Sequence, residues 1–217
     1  MSICSIACAV RYECVRSLSL RERHQDLTRR LITEGLARVI LRTGIHEFSV
    51  QEVADEAGVS LRTLYRYFPN REDLLEGLGV EVEQTIRDGG LDTGMEPMSA
   101  ELVADFVGDL FIVLGGRSDL ARAWVIANMT TGFKSEARRS HDLTILRVVQ
   151  TLGPHLDEAE QRRLYAVIRC LAGSLPWKVM TADLGLSDEE AAEAAGWALR
   201  TLLEEIEAGG RPVLPES

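Results

Sequence analysis

The sequence predicts an all-α protein of about nine helices. Apolar residues recur at helical spacing over long stretches, whereas valine and isoleucine do not alternate with polar residues as they do in strands. Helix-start signals, in which a serine or an aspartate precedes a glutamate by three residues, begin at Ser49, Asp157 and Ser187. The chain has 217 residues, 46% of them hydrophobic, which suffices for one large or two small domains with a full core.

Three helices are predicted in close succession in the first third of the chain. A capping box begins at Ser49, and Gly58 can adopt the left-handed conformation that ends a short helix. Ser60 is placed to cap a second short helix, which Pro69 ends, and Asn70 opens the next one. Two short helices joined by a tight turn are typical of a helix-turn-helix, whose second helix enters the major groove of DNA.

The two faces of the second short helix differ in chemistry. Leu64 and Phe68 lie four residues apart and should point into the core. The opposite side carries residues that suit a DNA groove, namely Arg62, Thr63, Tyr65, Arg66 and Tyr67. Arginine can donate two hydrogen bonds to guanine, and a threonine methyl group can contact the methyl group of thymine. The alternative is an amphipathic surface helix with solvated arginines, which the turn and the flanking helices disfavour.

The segment FSVQEVADEAGVSLRTLYRYFPNREDLL resembles the N-terminal domain of the TetR family of bacterial transcriptional regulators. TLYRYFPNREDLL is close to the most recurrent run of that family, and AGVS stands at the family's turn. The resemblance covers roughly residues 21–78, and Gly35 departs from it because the family usually has alanine there. The upstream positions that match the family pattern are Ile32, Leu36, Val39, Ile40, Gly44, Phe48, Ser49 and Val50.

The resemblance implies a transcriptional regulator, most often a repressor, that binds a palindromic double-stranded DNA operator as a homodimer and responds to a small-molecule effector. Activation and corepression stay open as alternatives. We expect an N-terminal extension over 1–20, a DNA-binding domain over 21–70, an effector-binding and dimerisation domain over 71–210, and a frayed tail over 211–217. The expected DNA contacts are Ser49, Val50, Ser60, Leu61, Arg62, Thr63, Tyr65, Arg66, Tyr67, Asn70 and Arg71.

Among these contacts, Arg71 and the backbone N–H groups at Asn70 are predicted to bind a phosphate at the start of a helix. The charge distribution favours the same end of the chain for DNA binding. Residues 1–70 carry a net charge of +2 and residues 71–217 a net charge of −12, which together give the −10 of the whole chain. A mildly positive reading domain on an acidic body is consistent with a DNA-binding protein.

From Asn70 onward the chain predicts six helices, the first of which is the third of the close succession. The first runs from Asn70 to about Arg87 and precedes a loop rich in glycine and proline that reaches Met98. Capping boxes, paired glycines and Gly153-Pro154 mark the others. Pro176 is predicted to kink the long fourth helix of the body. The five body helices are expected over about 99–114, 119–131, 135–152, 157–183 and 187–208.

The last two of these helices carry apolar stripes that predict association. In TetR-like proteins the two corresponding helices build a four-helix bundle between subunits, so the resemblance implies a homodimer, as a palindromic operator also requires. The alternative is that both stripes are ordinary core of a single chain. One stripe consists of Leu164, Val167, Ile168 and Leu171, and the other of Trp197, Leu199, Leu202, Leu203 and Ile206.

The resemblance further implies that the effector lies inside the C-terminal helical bundle. Asn128, Arg122 and His141 could supply polar anchors in a mostly apolar pocket. Aromatic and methionine side chains at helical spacing can equally be core, although Trp124, Phe133, Trp177 and Met180 are favoured as a group. The candidate wall residues are Phe106, Leu110, Trp124, Asn128, Met129, Phe133, Tyr165, Trp177 and Met180.

Other classes of protein find little support in the sequence. There is no P-loop, no dinucleotide fingerprint and no H-E-x-x-H or G-x-S-x-G motif, and Ser140, His141 and Asp142 diverge on a helix and cannot form a catalytic relay. We therefore expect no enzyme activity, no cofactor and no metal site. A helical scaffold protein would leave the arginine face of the second short helix unexplained.

The cysteines and the lengths of the apolar runs indicate in which cellular compartment the protein is expected. Cys4, Cys8 and Cys14 could form a thiol redox or soft-metal site, but reduced thiols in a flexible extension are the simpler interpretation. Cys170 is predicted to be a small buried apolar residue. No apolar run reaches the ~18 residues of a membrane span, and the first residues lack the basic start of a secretory signal. We therefore expect a cytoplasmic protein with no membrane partner.

Overall fold

A computed structural model describes residues 19–91, 99–131 and 136–213. These three ranges contain helices and no strand, so the prediction of an all-α fold is confirmed. Within the same ranges no helix is both long and apolar enough to cross a membrane. The predictions for Cys4, Cys8, Cys14 and Phe133 lie outside the described residues. The helices are α1 (Leu20–Thr43), α2 (Val50–Glu56), α3 (Leu61–Tyr67), α4 (Arg71–Asp88), α5 (Ala100–Gly115), α6 (Ser118–Thr131), α7 (Glu136–Leu152), α8 (Glu158–Leu171), α9 (Ser174–Lys178) and α10 (Asp188–Glu207), with a π-helical turn at Val179–Asp183.

The predicted caps of the first helices are present. Ser49 and Glu52 form a complete capping box at α2, and Gly58 follows that helix at φ 67°, in the left-handed region that favours glycine. The side chains of Ser60 and Asn70 accept hydrogen bonds from the third residue beyond them, at the starts of α3 and α4. These caps satisfy backbone donors that each short helix leaves unpaired.

Helices α1 to α3 pack around a small core together with the first turns of α4. Leu64 and Phe68 are 1% and 3% exposed, which confirms the predicted inward face of α3. Gly35 lies where α1 crosses the end of α2, and a Cβ atom there would stand 3.1 Å from both Cβ and N of Ala57. The departure from the family pattern therefore coincides with an unusually close approach of the two helices.

The prediction of one long kinked helix over 157–183 is wrong. The Asp157 capping box opens α8 as expected, but α8 ends at Leu171 and the chain turns at Gly173, whose φ is 104°. Pro176 lies in the first turn of the new helix α9, where the missing N–H of proline has no acceptor to lose. Gly173 therefore makes the break, whereas Pro176 is accommodated in the first turn of α9 and does not end a helix.

The two apolar stripes serve mainly as core of the single chain. Five of their residues are buried, and Leu171 and Leu202 are half-buried. Val167 on α8 and Trp197 on α10 are instead 42% and 72% exposed. Only the outer edges of the stripes are left for a partner. The buried members are Leu164, Ile168, Leu199, Leu203 and Ile206.

The C-terminal segment is held against the start of α8 as far as the structure describes it. The Arg211 guanidinium pairs with the Glu160 carboxylate at 2.8 Å, and Nε2 of His155 lies 3.1 Å from the carbonyl oxygen of Gly210. A hydrogen bond from the Asp157 backbone, followed by the contact with Arg211, lowers the pKa of Glu160. Arg211, which we assigned to a frayed tail, is thus tied to the body.

A cluster of charged residues joins the first helices to the body. Glu81 of α4 is only 8% exposed and lies 3.5 Å from the Arg30 guanidinium of α1 and 4.0 Å from that of Arg117. Arg117, just before α6, also pairs with Glu34 of α1 at 2.8 Å. Burial raises the pKa of Glu81, and the two guanidinium groups oppose that effect. The first helices are therefore joined to the body both by α4 and by this cluster.

Candidate nucleic-acid interface and ligand cavity

The outer face of α3 is open and positively charged. Arg62, Tyr65 and Arg66 are exposed on the side opposite the buried Leu64, and Tyr65 retains 46% of its surface. Within the described part of the chain, Arg62 forms no ion pair. Its guanidinium is therefore available for the edge of a base or for a phosphate.

The remaining predicted contacts on α3 are partly engaged within the domain. The ring of Tyr67 has the guanidinium carbons of Arg29 and Arg66 at 5.7 Å and 5.0 Å from its centre, and the ring is half-buried. Oγ1 of Thr63 lies 2.8 Å from Oγ of Ser60. Leu61 of α3 and Val50 of α2 are partly buried against the core. Arg29 and Arg66 are thus both within cation–π distance of the Tyr67 ring.

Arg71 is used inside the domain. Its guanidinium donates hydrogen bonds to the carbonyl oxygens of Phe48, at 3.1 Å, and Ile45, and it stacks 3.6 Å from the centre of the Phe48 ring. Glu72 and Asp73 occupy the first turn of α4, where a phosphate was expected. The structure therefore gives Arg71 a bracing role between α4 and the loop after α1, and its contact with phosphate stays a prediction.

A cavity of about 520 Å³ lies in the body beneath these helices. It is bounded by α4, α5, α6, α7 and the break between α8 and α9. Five of the predicted wall residues line it, which are Phe106, Leu110, Trp124, Asn128 and Met129. The other lining residues are Val82, Glu83, Ile86, Leu114, Val125, Arg138, Ser140, His141, Thr144, Arg169, Cys170, Gly173, Ser174 and Leu175.

Three predicted wall residues lie elsewhere. Trp177 is 1% exposed and its indole N–H donates to Oδ1 of Asp188 at 2.8 Å, so it is part of the core beside the start of α10. Tyr165 hydrogen-bonds Asp142, and burial raises the pKa of its hydroxyl group. Met180 lies in the π-helical turn and packs against the core. None of the three lines the cavity.

Sequence reasoning missed two parts of the wall. Val82, Glu83 and Ile86 come from α4, for which the sequence predicts only a connection between the domains. The second part is the turn at Gly173 with the residues beside it, including Cys170, which is exposed and not buried as predicted. Proline is tolerated in the first turn of a helix but not in its interior, so Pro176 with Gly173 just before it could have indicated a new helix start here.

Two buried hydrogen-bond acceptors in the wall have no partner among the residues that the structure describes. The amide nitrogen of Asn128 donates to the Trp124 carbonyl oxygen at 3.3 Å, which identifies the other amide atom as oxygen, and that Oδ1 is buried. The His141 ring hydrogen-bonds the Ala172 backbone, while its buried Nε2 has no partner among the described residues. Such orphaned groups cost free energy that a suitable ligand would recover.

His141 should make the folded chain sensitive to mild acid. Burial, with the Arg169 guanidinium as the second cause, lowers the pKa of His141 to about 4. The folded ring stays neutral down to about pH 4, whereas the unfolded ring takes up a proton below about pH 6.5. The free energy of unfolding should therefore fall by up to about 3 kcal/mol between pH 6.5 and pH 4. Urea unfolding across this range measures the change.

His141→Gln keeps a polar side chain and removes the titration, so its stability should fall less over the same interval. His24→Gln is the matched control, because His24 is exposed on α1 and should leave the wild-type profile unchanged. Parallel profiles for wild type and His141→Gln would contradict the assignment of a neutral buried ring.

Comparison with known proteins agrees with this arrangement. Residues 32–78 match the family model described as bacterial regulatory proteins, tetR family. A region of 91 residues is 33% identical to the fatty acid metabolism regulator protein of Bacillus subtilis (strain 168). That region makes up 42% of this chain, and it spans about half, 47%, of the relative.

Two solved structures share the fold over most of the chain. A putative TetR-family transcriptional regulator from Syntrophomonas wolfei superposes with a TM-score of 0.57 at 14% identity, covering 82% of this chain and 95% of that one. The transcriptional regulator FadR from Bacillus subtilis in complex with stearoyl-CoA superposes with a TM-score of 0.55 at 20% identity, covering 79% of this chain and 97% of that one. At these identities the likeness establishes the fold.

Proposed function

We propose that this chain is a transcriptional regulator of the TetR family, which binds a palindromic operator as a homodimer and is released from it by a small-molecule effector. One observation carries the proposal. Helix α4 directly follows α3, the proposed reading helix, and it also supplies a wall of the cavity through Val82, Glu83 and Ile86. A ligand in the cavity therefore contacts the helix on which the DNA-reading helices are mounted.

The proposed dimer uses the edges of α8 and α10. Val167 and Trp197 are large apolar side chains that the single chain leaves exposed. A two-fold dimer presents two α3 helices to successive major grooves, whose half-sites lie about one helical turn, ~34–36 Å, apart. A tilt of α4 that changes this distance by a few ångströms would abolish the fit. Effector binding and DNA binding would then oppose each other reciprocally.

The lining of the cavity supports an effector that combines an apolar body with hydrogen-bond donors. Phe106, Leu110 and Trp124 offer apolar surface, while Asn128 Oδ1 and His141 Nε2 find no donor in the described part of the chain. Fatty acyl-CoA is the first class to test, because the FadR relative was solved with stearoyl-CoA. Its acyl chain suits the apolar wall, and its pantetheine amides carry N–H donors.

Arg62→Ala tests the DNA-reading part of the proposal. The wild-type chain should select an inverted repeat from a random duplex library and bind it with two chains per duplex. A bidentate arginine–guanine contact discriminates by about 1–3 kcal/mol, so Arg62→Ala should lower affinity at least about tenfold and relax base preference at one position in each half-site. Fluorescence anisotropy with the selected duplex measures both effects.

Arg147→Ala is the matched control for that experiment, because it removes the same charge from an exposed position on α7. It should bind the selected duplex as the wild type does. Unchanged affinity of Arg62→Ala would remove Arg62 from the reading surface. Stearoyl-CoA added to the wild-type complex should release the duplex, and failure to do so would reject acyl-CoA as the effector class while leaving DNA recognition standing.

A further inference from the structure

Two glycines of α4 bring aromatic rings directly against its backbone. At Gly79, a Cβ atom would lie 2.6 Å from Cη2 and 2.8 Å from Cζ3 of Trp124. At Gly77, a Cβ atom would lie 2.9 Å from Cζ of Phe68 and still closer to Cε1 of the same ring. Non-bonded contacts of a Cβ atom this short essentially never occur, so each ring fills the space that any other residue would need.

The two rings lie on different sides of the helix and belong to different parts of the molecule. Residues two apart on an α-helix are separated by about 200° around its axis, so Gly77 and Gly79 face roughly opposite directions. Phe68 caps the C-terminal end of α3 and is 3% exposed. Trp124 belongs to α6, is 6% exposed and lines the cavity. The backbone of α4 thus packs between the Phe68 ring at the end of α3 and the Trp124 ring in the cavity wall.

Glycine at both contacts determines how a displacement is passed on. A side chain on α4 could absorb movement of a neighbouring ring by changing its rotamer, but a bare backbone cannot. Protein interiors are close-packed and transmit strain of this kind. A shift of the Trp124 ring therefore moves the axis of α4 itself, and the axis in turn presses on Phe68 at the opposite side.

We propose that the Trp124–Gly79 and Gly77–Phe68 contacts form a steric coupling through which occupation of the cavity repositions α3. The coupling rests on the proposed function and adds the residues through which it acts. Its direct consequence is that a methyl group added at Gly79 pushes α4 away from Trp124 as a bound effector would. Such a variant should be partly released from DNA without any effector.

The test uses the full chain and the duplex that the wild type selects from a random library. Gly79→Ala should bind this duplex at least about tenfold more weakly. This lies within the roughly 5- to 150-fold changes in affinity that typical allosteric couplings produce. Adding Trp124→Leu removes the ring that the methyl group meets, so the double variant should bind within about threefold of Trp124→Leu alone. Gly77→Ala should also weaken binding, and Trp124→Leu should not rescue it.

Gly108→Ala is the matched control, because a Cβ atom there meets only the Ala192 carbonyl oxygen, at an ordinary 3.8 Å. It should bind as the wild type does. Circular dichroism and thermal unfolding establish that each variant is folded. A folded Gly79→Ala that binds the duplex with wild-type affinity would overturn the coupling, as would rescue of Gly77→Ala by Trp124→Leu.

A second measurement keeps the coupling testable if Gly79→Ala does not fold. With Trp124→Leu, α4 loses its support from α6, so the two α3 helices should tolerate a changed half-site distance. One base pair inserted at the centre of the duplex should lower wild-type affinity at least about tenfold and Trp124→Leu affinity much less. Equal penalties would overturn the coupling. If the wild type selects no duplex at all, the proposed function fails and the coupling with it.

Discussion

Replacing Trp177 with alanine should lower the free energy of unfolding by about 3–5 kcal/mol, the range for deleting a fully buried aromatic side chain. The indole is 1% exposed, and its N–H donates to Oδ1 of Asp188 at 2.8 Å. Asp188 stands directly over Gly115, where no space exists for a Cβ atom. The substitution therefore creates a void and leaves a carboxylate without its donor at the junction of α5, α9 and α10. Urea unfolding at fixed protein concentration measures the loss.

Two variants separate the contributions at this site. Trp177→Phe keeps most of the apolar volume and loses the hydrogen bond to Asp188, so it should cost about 1–3 kcal/mol. Leu184→Ala lies nearby at a position that is 67% exposed and should change stability by less than about 0.5 kcal/mol. A stable Trp177→Ala variant with altered effector binding would instead support the wall position that the sequence predicts.

Arg71→Ala should destabilise the chain by about 2–4 kcal/mol, because hydrogen bonds from a charged group and its stacking on an aromatic ring are both lost. The guanidinium binds the carbonyl oxygens of Ile45 and Phe48, both of which precede α2, and covers the Phe48 ring. For a chain of this size the melting temperature should fall by roughly 5–15 °C. Differential scanning calorimetry gives the shift.

Arg87→Ala is the corresponding control at the other end of α4. Its ion pair with Glu83 is a surface pair four residues apart, worth no more than about 0.5 kcal/mol. If Arg71→Ala melts as the wild type does but binds the selected duplex more weakly, the phosphate contact predicted for Arg71 would be supported over the bracing role.

The difference between what the sequence predicts well and poorly follows from the distance between interacting residues. The caps at Ser49 and Ser60 and the turn at Gly58 depend on atoms within a few residues, so the sequence contains both partners. Arg71 binds carbonyl oxygens 23 and 26 residues away, and no local pattern reveals them. The position of Arg71 at a helix start predicts an anion site. In the structure its guanidinium instead donates to backbone carbonyl oxygens of the same domain.

The cavity shows the same limit. Trp124 and Trp177 both lie at apolar helical positions, and the sequence predicts the same role for each. The turn at Gly173 separates them, because it ends α8 early and opens the wall beside Trp124, while Trp177 enters the core against Asp188. The one missed helix break at Gly173 therefore misplaced both Trp177 and Met180, which follow it in the chain.

Under the proposed function, the wall that α4 contributes has a consequence for how the effector preference can be changed by substitution. A substitution at Val82, Glu83 or Ile86 alters the chemical preference of the cavity and the mounting of the reading helix at once. In the proposed regulator, substitutions in α7 and in the turn at Gly173 should change effector preference with less effect on DNA binding, because both contribute wall residues but do not carry α3. Libraries of variants at the positions in α7 and the Gly173 turn should keep DNA binding while changing the effector preference.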